Sequence, residues 1–396
     1  NALVLLSCLN PSFKVMFSGG ESFLAQTGAL YPRLPSTAHV ATSLEHLWLF
    51  DACFIAAFNL ALVVRQRRAL RGLLLLIVGN ALVLSIFGTF QNFTSDGLFF
   101  GLVKSPNPRF FATFVYGNHW AAFIALQVAT CTGLVFHYAR RHGTEAFGRS
   151  PVTIGICALL FMGITPALCG SRAGILMILT LLVVGIGQAA IRTVRRRRAR
   201  RESPWLPLAG LAVFVVIVIA TAAHLGRPAL AERWDETREQ IKNGPVAGRL
   251  ELYQDTWKLV AAKPAFGWGL GSYGKVFMLI RPRPIETKRQ YERSYIDAHS
   301  DWLQSLAEVG FVGTFILGLT GLLPALGLRP RHFSSSVTAY TLGGCVLILL
   351  YAWVEFPFGN PAVTLSWWVC FFCGVHYARL QDREAPAPVK IVPVTG

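Results

Sequence analysis

Hydrophobic residues along this chain come in blocks of roughly 18–25, the length that carries a helix across a hydrocarbon core, separated by polar and basic stretches. Nine complete spans are predicted, at about 43–64, 72–90, 119–138, 152–169, 174–191, 205–224, 301–327, 336–355 and 363–379. The apolar segment 2–9 is too short to cross, and the chain starts with Asn1 rather than Met, so further spans are expected upstream. Nothing at the start shows a basic region followed by a cleavable apolar core. The pattern breaks at length once, between about His224 and His299. A connection of roughly 75 residues is long for a plain link. It holds tryptophans, tyrosines and amphipathic helical spacing, which favours order over disorder. The expected fold is therefore an all-α polytopic membrane protein with a single membrane domain over 1–396, incomplete at its N-terminus. About nine complete transmembrane helices plus a truncated one form the bundle, and 225–299 is a helical loop inserted between two of them.

Composition agrees. The chain is 53% hydrophobic and 14% charged, with mean hydropathy +0.48, too apolar for a soluble domain. The short loops at 65–71, 139–149, 192–201 and 329–332 are basic and fall on one side of a nine-span topology. The loops opposite are poor in Lys and Arg: 89–118 holds only Lys104 and Arg109, and 356–362 holds neither type. By the positive-inside pattern the basic side is cytoplasmic, and the 225–299 loop, the 10–42 segment and the 170–174 turn are extracytoplasmic. The net charge of +17 is then explained by topology. The run Arg195-Arg-Arg-Arg-Ala-Arg-Arg201 reads as a cytoplasmic determinant beside anionic lipid head groups, and no nucleic-acid partner is expected.

Several apparent motifs carry little. Cys370 and Cys373 make a CxxC spacing without a second ligand pair, and the long loop contains no cysteine. Gly269-Leu-Gly-Ser-Tyr-Gly274 matches a dinucleotide fingerprint literally. That reading needs a preceding strand, a following helix and an acid about 20 positions on inside one βαβ unit. After a proline in an extracytoplasmic loop, the glycines read better as a tight turn near the membrane surface. No Walker A, HExxH or GxSxG sequence occurs.

What remains is a set of polar residues on the extracytoplasmic side. Arg172 sits in a turn between two spans, on the side where arginine is disfavoured, among the small neighbours Gly170, Ser171, Ala173 and Gly174. Arg249 opens a helical stretch in which Leu250, Tyr253, Trp257 and Val260 form one apolar stripe, like an interfacial helix. It lies in the first turn, where free amides favour an anion. His299 lies at a helix start near Asp297 and Asp301, either of which could orient its imidazole as a general base. Glu308, two turns deeper, is an intramembrane carboxylate that calls for a partner or a polar cavity.

In order and spacing, Ser171-Arg-Ala-Gly174, Gly248-Arg-Leu250, Pro264-Ala-Phe-Gly-Trp-Gly-Leu-Gly-Ser-Tyr273 and Ala298-His-Ser-Asp-Trp-Leu-Gln-Ser-Leu-Ala-Glu-Val-Gly-Phe-Val-Gly313 resemble the O-antigen ligase family. Its superfamily also holds Wzy-type polysaccharide polymerases and O-linking oligosaccharyltransferases. Tyr116-Gly-Asn-His-Trp120 and Glu355-Phe-Pro-Phe-Gly-Asn-Pro361 resemble further segments, so the likeness runs from about 85 to 375. Members usually have more spans, in keeping with an upstream remainder. The resemblance implies a metal-independent, inverting glycosyltransferase without a cofactor, in the bacterial cytoplasmic membrane with its site facing the periplasm. It would take a glycan from undecaprenyl diphosphate and pass it to a lipid or glycan acceptor such as lipid A–core. Polymerase and protein-glycosylating branches are alternatives, and a polysaccharide flippase is an alternative of another class. The resemblance assigns Arg172 and Arg249 to the diphosphate and His299 to the acceptor hydroxyl. His119, Asp301 and Glu308 join them in substrate binding.

Overall fold

Several helix starts in this chain are marked by polar side chains that accept from first-turn amides. Ser150 accepts from Val152 N (3.2 Å), Ser171 from Gly174 N (3.2 Å), Ser300 from Leu303 N (3.3 Å), and His39 Nδ1 from Thr42 N (3.2 Å). The computed structural model describes residues 1–18, 21–95, 97–107, 109–141, 150–206, 208–210, 212–213, 215–216, 220, 246–280 and 296–384. The helices are α1 (Ala2–Cys8), α2 (Val40–Val63), α3 (Arg67–Thr94), α4 (Gly117–Arg141), α5 (Pro151–Leu168), α6 (Arg172–Ala199), α7 (Val246–Ala262), α8 (Tyr273–Ile280), α9 (Asp301–Ala325), α10 (Ser336–Tyr351) and α11 (Pro361–Glu384). Two small antiparallel hairpins, absent from the sequence reading, accompany them. One pairs β1 (Phe13–Ser18) with β2 (Glu21–Gln26), and the other pairs β3 (Leu98–Phe99) with β4 (Val103–Lys104).

The chain is a multi-pass, predominantly helical membrane protein. Among the described residues six helices are long and apolar enough to cross a membrane: α2, α3, α4, α5, α6 and α9. The expected count of nine is not reached, for three reasons. The span expected at 205–224 lies largely outside the described residues. α10 is apolar but only 16 residues long. α11 carries Trp367, Trp368, Tyr377 and Arg379 and buries its aromatic residues inside the bundle. α4 lies at the centre, packed on α3, α5, α6, α10 and α11. A helix surrounded in this way is mostly apolar around its circumference, although α4 also buries Gln127 and Thr130. Ala121, Ala122, Ala125 and Ala129 let its neighbours approach closely.

Basic residues collect at one end of the bundle. There His376 contacts Val64 O (3.0 Å), Arg71 donates to Tyr377 (3.1 Å), and His332 and Arg331 both meet Asp382 (2.9 Å each). α6 ends on this face, and α7 lies at the other, beside Val354 and Glu355.

At that other end stands a second, smaller core. Phe13 of the first hairpin, Ala38, Leu252 and Leu259 of α7, Trp268, Tyr273 and Phe277 of α8, and Ala307 of α9 are buried together. The long loop is thus ordered over 246–280 and joined to the N-terminal segment. Of the expected stripe on α7, Val260 is buried in this core. Leu252, Thr256 and Leu259 are buried, whereas Leu250 and Trp257 are more than half exposed.

α9 is interrupted where the two cores meet. Gly310 adopts φ 67° and ψ −173°, which breaks the helix. The backbone groups freed by the break are taken up by the 264–269 turn. Trp268 N donates to Ala307 O (3.0 Å) and Gly269 N to Glu308 O (2.7 Å), while Phe311 N and Val312 N donate to Pro264 O (2.8 Å) and Ala265 O (3.1 Å). Non-helical backbone inside a membrane protein survives only when it is satisfied in this manner. The Glu308 side chain completes the clamp, accepting from Gly271 N (2.7 Å), Tyr273 N (3.3 Å) and Gln304 Nε2 (3.1 Å). The 269–274 segment, expected as a tight turn, docks on Glu308, with φ +104° at Gly269 and +70° at Gly271.

Two substitutions test the clamp. A Cβ on Gly310 would run into the backbone of Ala265 and Phe266, and the positive φ alone costs about 1–3 kcal/mol. Glu308→Ala strands two amides at about 1–3 kcal/mol each. Gly310→Ala and Glu308→Ala should both lower the thermal midpoint of the detergent-solubilised protein, and unchanged midpoints would remove the clamp from the account.

Candidate active site

The turn after α10 brings Glu355 to the end of the bundle, with only 4% of its side chain exposed. A buried carboxylate needs compensation from close partners, and four residues supply it. Arg249, in the first turn of α7, donates from Nη2 to Oε1 at 2.7 Å and from Nη1 to Val354 O at 3.4 Å. Asn118, at the start of α4, donates from Nδ2 to Oε1 at 2.9 Å. Tyr116 donates to Oε2 at 3.4 Å. His299, just before α9, places Nδ1 3.8 Å from Oε2. That last separation couples the two groups through charge rather than through a formed hydrogen bond.

His299 is held firmly. Its φ is +52°, a region that non-glycine residues occupy at a cost. Tyr253 donates to His299 O at 3.0 Å. Asp301 N donates to Ala352 O (3.0 Å) and Glu355 O (3.2 Å), tying the start of α9 to the turn after α10. The Phe356 ring receives His299 and His119 edge-on, each at 4.9 Å, and stacks on Tyr116 at 5.4 Å.

The structure brings most of the sequence-selected residues to this end. Arg172 is the first residue of α6 and is exposed. Its neighbour Ser171 donates to Asn118 Oδ1 at 2.7 Å, so the arginine turn joins the Glu355 cluster through one side chain. His119 contacts Phe356 O at 3.1 Å. Asp301 accepts from Phe358 N at 2.9 Å and so braces the 357–359 turn. Glu308 is occupied in the loop clamp. The carboxylate nearest the His299 ring nitrogen is Glu355, where Asp297 or Asp301 was expected. The rule that drew attention to Glu308, that carboxylates in apolar surroundings need partners, would have selected Glu355 as well.

The electrostatics follow from burial and charge. Burial alone would raise the Glu355 carboxyl, but His299 and Arg249 outweigh it and hold the group below the usual glutamate value. For Arg249, burial pulls down and the Glu355 carboxylate pulls up more strongly, so the guanidinium is locked in its charged form. Tyr116 is pushed up to about 12, by burial first and then by Glu355. The cluster therefore presents a paired cation, a tyrosine held neutral, and an imidazole whose Nδ1 faces a carboxylate. With the proton on Nδ1, Nε2 is left as the basic nitrogen.

Residues 157–318 match the family model described as O-antigen ligase. Over this stretch the chain is similar to the O-antigen ligase family. The family stretch contains Arg172, Arg249, His299, Asp301 and Glu308 and is narrower than the likeness read from sequence; His119 and Glu355 lie outside it. No curated protein matches the chain. The match supports a membrane transferase of the ligase or polymerase type, and the geometry around Glu355 is where its chemistry is best sought.

Because the folded Glu355 carboxyl lies below its ordinary value, its ionic contribution is fully present above about pH 4.3 and is lost as pH falls through the lower folded value. Glu355→Gln should destabilise the protein by about 1–2 kcal/mol at neutral pH, discounted because Arg249 is half exposed and screened. The gap between the two thermal midpoints should stay level from about pH 8 to 5 and close below about pH 4. A gap that grows as pH falls would contradict the assignment.

Proposed function

We propose that the chain is an inverting, metal-independent membrane glycosyltransferase that moves a glycan from undecaprenyl diphosphate to an acceptor hydroxyl, as on lipid A–core, at the periplasmic face. The observation that carries this reading is the convergence on Glu355 of Arg249 and His299, with the Arg172 turn tied in through Asn118. Two guanidiniums near one histidine suit a reaction in which negative charge builds up on a leaving diphosphate while an alcohol loses a proton.

In the proposed step, His299 Nε2 takes the proton of the acceptor hydroxyl. The acceptor oxygen attacks the anomeric carbon, and the bond from that carbon to the diphosphate oxygen breaks with the electron pair remaining on the diphosphate. Glu355 stabilises the imidazolium through its charge at 3.8 Å. Arg249 keeps half of its side chain exposed while paired, and Arg172 is exposed at a helix start. Both can therefore meet phosphate oxygens, a pairing favoured by guanidinium geometry. Preorganised positive charge at the leaving group supplies what a metal ion supplies elsewhere. Attack from the face opposite the diphosphate inverts the anomeric centre. The family match supports ligase-type and polymerase-type transfer alike, and transfer to a separate acceptor is the reading we propose.

Purified protein, a lipid-linked glycan donor and an added acceptor provide the test. His299→Ala should cost about 10²–10⁴-fold in transfer rate, and Arg172→Ala or Arg249→Ala about 10²–10³-fold, with membrane expression unchanged. Full activity in all three variants would end the mechanism. Donor movement across vesicles without transfer would point to a flippase instead.

A further inference from the structure

At the basic end of the bundle, far from Glu355 along the helices, α4, α6 and the connection before α10 leave a crevice of about 560 Å³. Arg140, Arg192 and Arg195 line it. Arg192 and Arg195 stand one turn apart on α6 and so share a face. Among the described residues no carboxylate lines the crevice. Two acids at this end are engaged elsewhere, Glu202 with Arg197 and Asp382 with Arg331 and His332. The arginines are held by neutral groups instead. Arg140 Nη1 donates to Ser334 O at 3.3 Å, and the Arg192 guanidinium lies 4.6 Å from the centre of the Phe136 ring.

Three guanidiniums gathered without an anion call for one, and two further observations point the same way. Ser336 lines the crevice at 4% exposure, and its hydroxyl has no hydrogen-bond partner among the described residues. It is also the first residue of α10, whose N-cap Ser335 contributes no side-chain cap, so the positive end of that helix faces the same place. Gln188 adds a buried acceptor, Oε1, without a donor. A bare phosphate offers it nothing, whereas a head group with hydroxyls does. Below the charged rim the wall turns apolar. Val183 and Val184 are 70% and 55% exposed along α6 and open toward the hydrocarbon.

We propose that this crevice binds an anionic phospholipid with a hydroxylated head group, its phosphate on Arg140, Arg192 and Arg195 and its acyl chains along Val183 and Val184. Basic pockets between helices at a membrane surface suit such head groups. The proposal needs only that the helices cross a membrane, so it stands or falls separately from glycan transfer.

The full chain in detergent, titrated with phosphatidylglycerol, phosphatidylcholine or inorganic phosphate and followed by native mass spectrometry, decides it. Phosphatidylglycerol should be retained at least about tenfold more tightly than phosphatidylcholine, and millimolar inorganic phosphate should not displace it. Removing charge with Arg140→Gln, Arg192→Gln and Arg195→Gln should weaken retention about fivefold per arginine. Gly187→Trp gives a second arm with all charges kept. A Cβ there meets nothing within 4 Å, so the fold should tolerate it while the indole fills the crevice and retention falls. Equal retention of both lipids, displacement by free phosphate, or full retention in the Gly187→Trp variant would overturn the proposal.

Discussion

A carboxylate taken out of water must be matched by charge or hydrogen bonds, or it gives up its ionised form. Glu355 imposes that requirement at one end of this bundle, and the surrounding architecture answers it. Arg249 arrives from α7, Asn118 and Tyr116 from the start of α4, and His299 from the approach to α9. None of these elements is close in sequence to the glutamate. Their meeting fixes how α7 lies on the bundle and where α9 enters it. The same pairing makes the resting site nearly neutral, so its arginine is aimed without being left as an isolated charge.

The second constraint is backbone satisfaction. α9 could not bend at Gly310 inside an apolar layer unless each freed amide and carbonyl found a partner. The 264–269 turn provides those partners in both directions, and the Glu308 side chain adds two further amide contacts. One helix thereby links two hydrophobic cores of different character. One is packed between helices within the bundle, and the other is built from a hairpin, two short helices and the first turns of α9.

Much of this was legible from residue order. The apolar blocks gave α2 through α5 and α9 within about five residues, because length and hydrophobicity suffice to define a membrane helix. α6, by contrast, continues to Ala199, through most of the basic stretch expected as a loop. Arg249 in a first turn and Arg172 between two helices were also readable. The buried face of α7 was readable only in part. That helix has apolar residues on more than one side, so the spacing of Leu250, Tyr253, Trp257 and Val260 could not select between them and the Leu252–Leu259 face. Glu355 was hidden at the end of a predicted span, 336–355, where it passed as part of the apolar run. The β1–β2 hairpin carried a signal that went unread, two alternating stretches about Gly19-Gly20. The left-handed backbone at His299 has no local sequence signature. It follows from tertiary contacts with Tyr253, Ala352 and Phe356.

The outer core also has a consequence for assembly. Ala38 N donates to Trp268 O at 2.7 Å, and the Ser43 hydroxyl donates to Leu270 O across 227 residues of sequence. The segment that leads into α2 therefore has to wait, without these partners, until residues 268–270 have been made. Contacts of such long range form late, because the chain between them must be ordered first. The layer that carries Arg249 and His299 thus closes only after residues far apart in the chain have met.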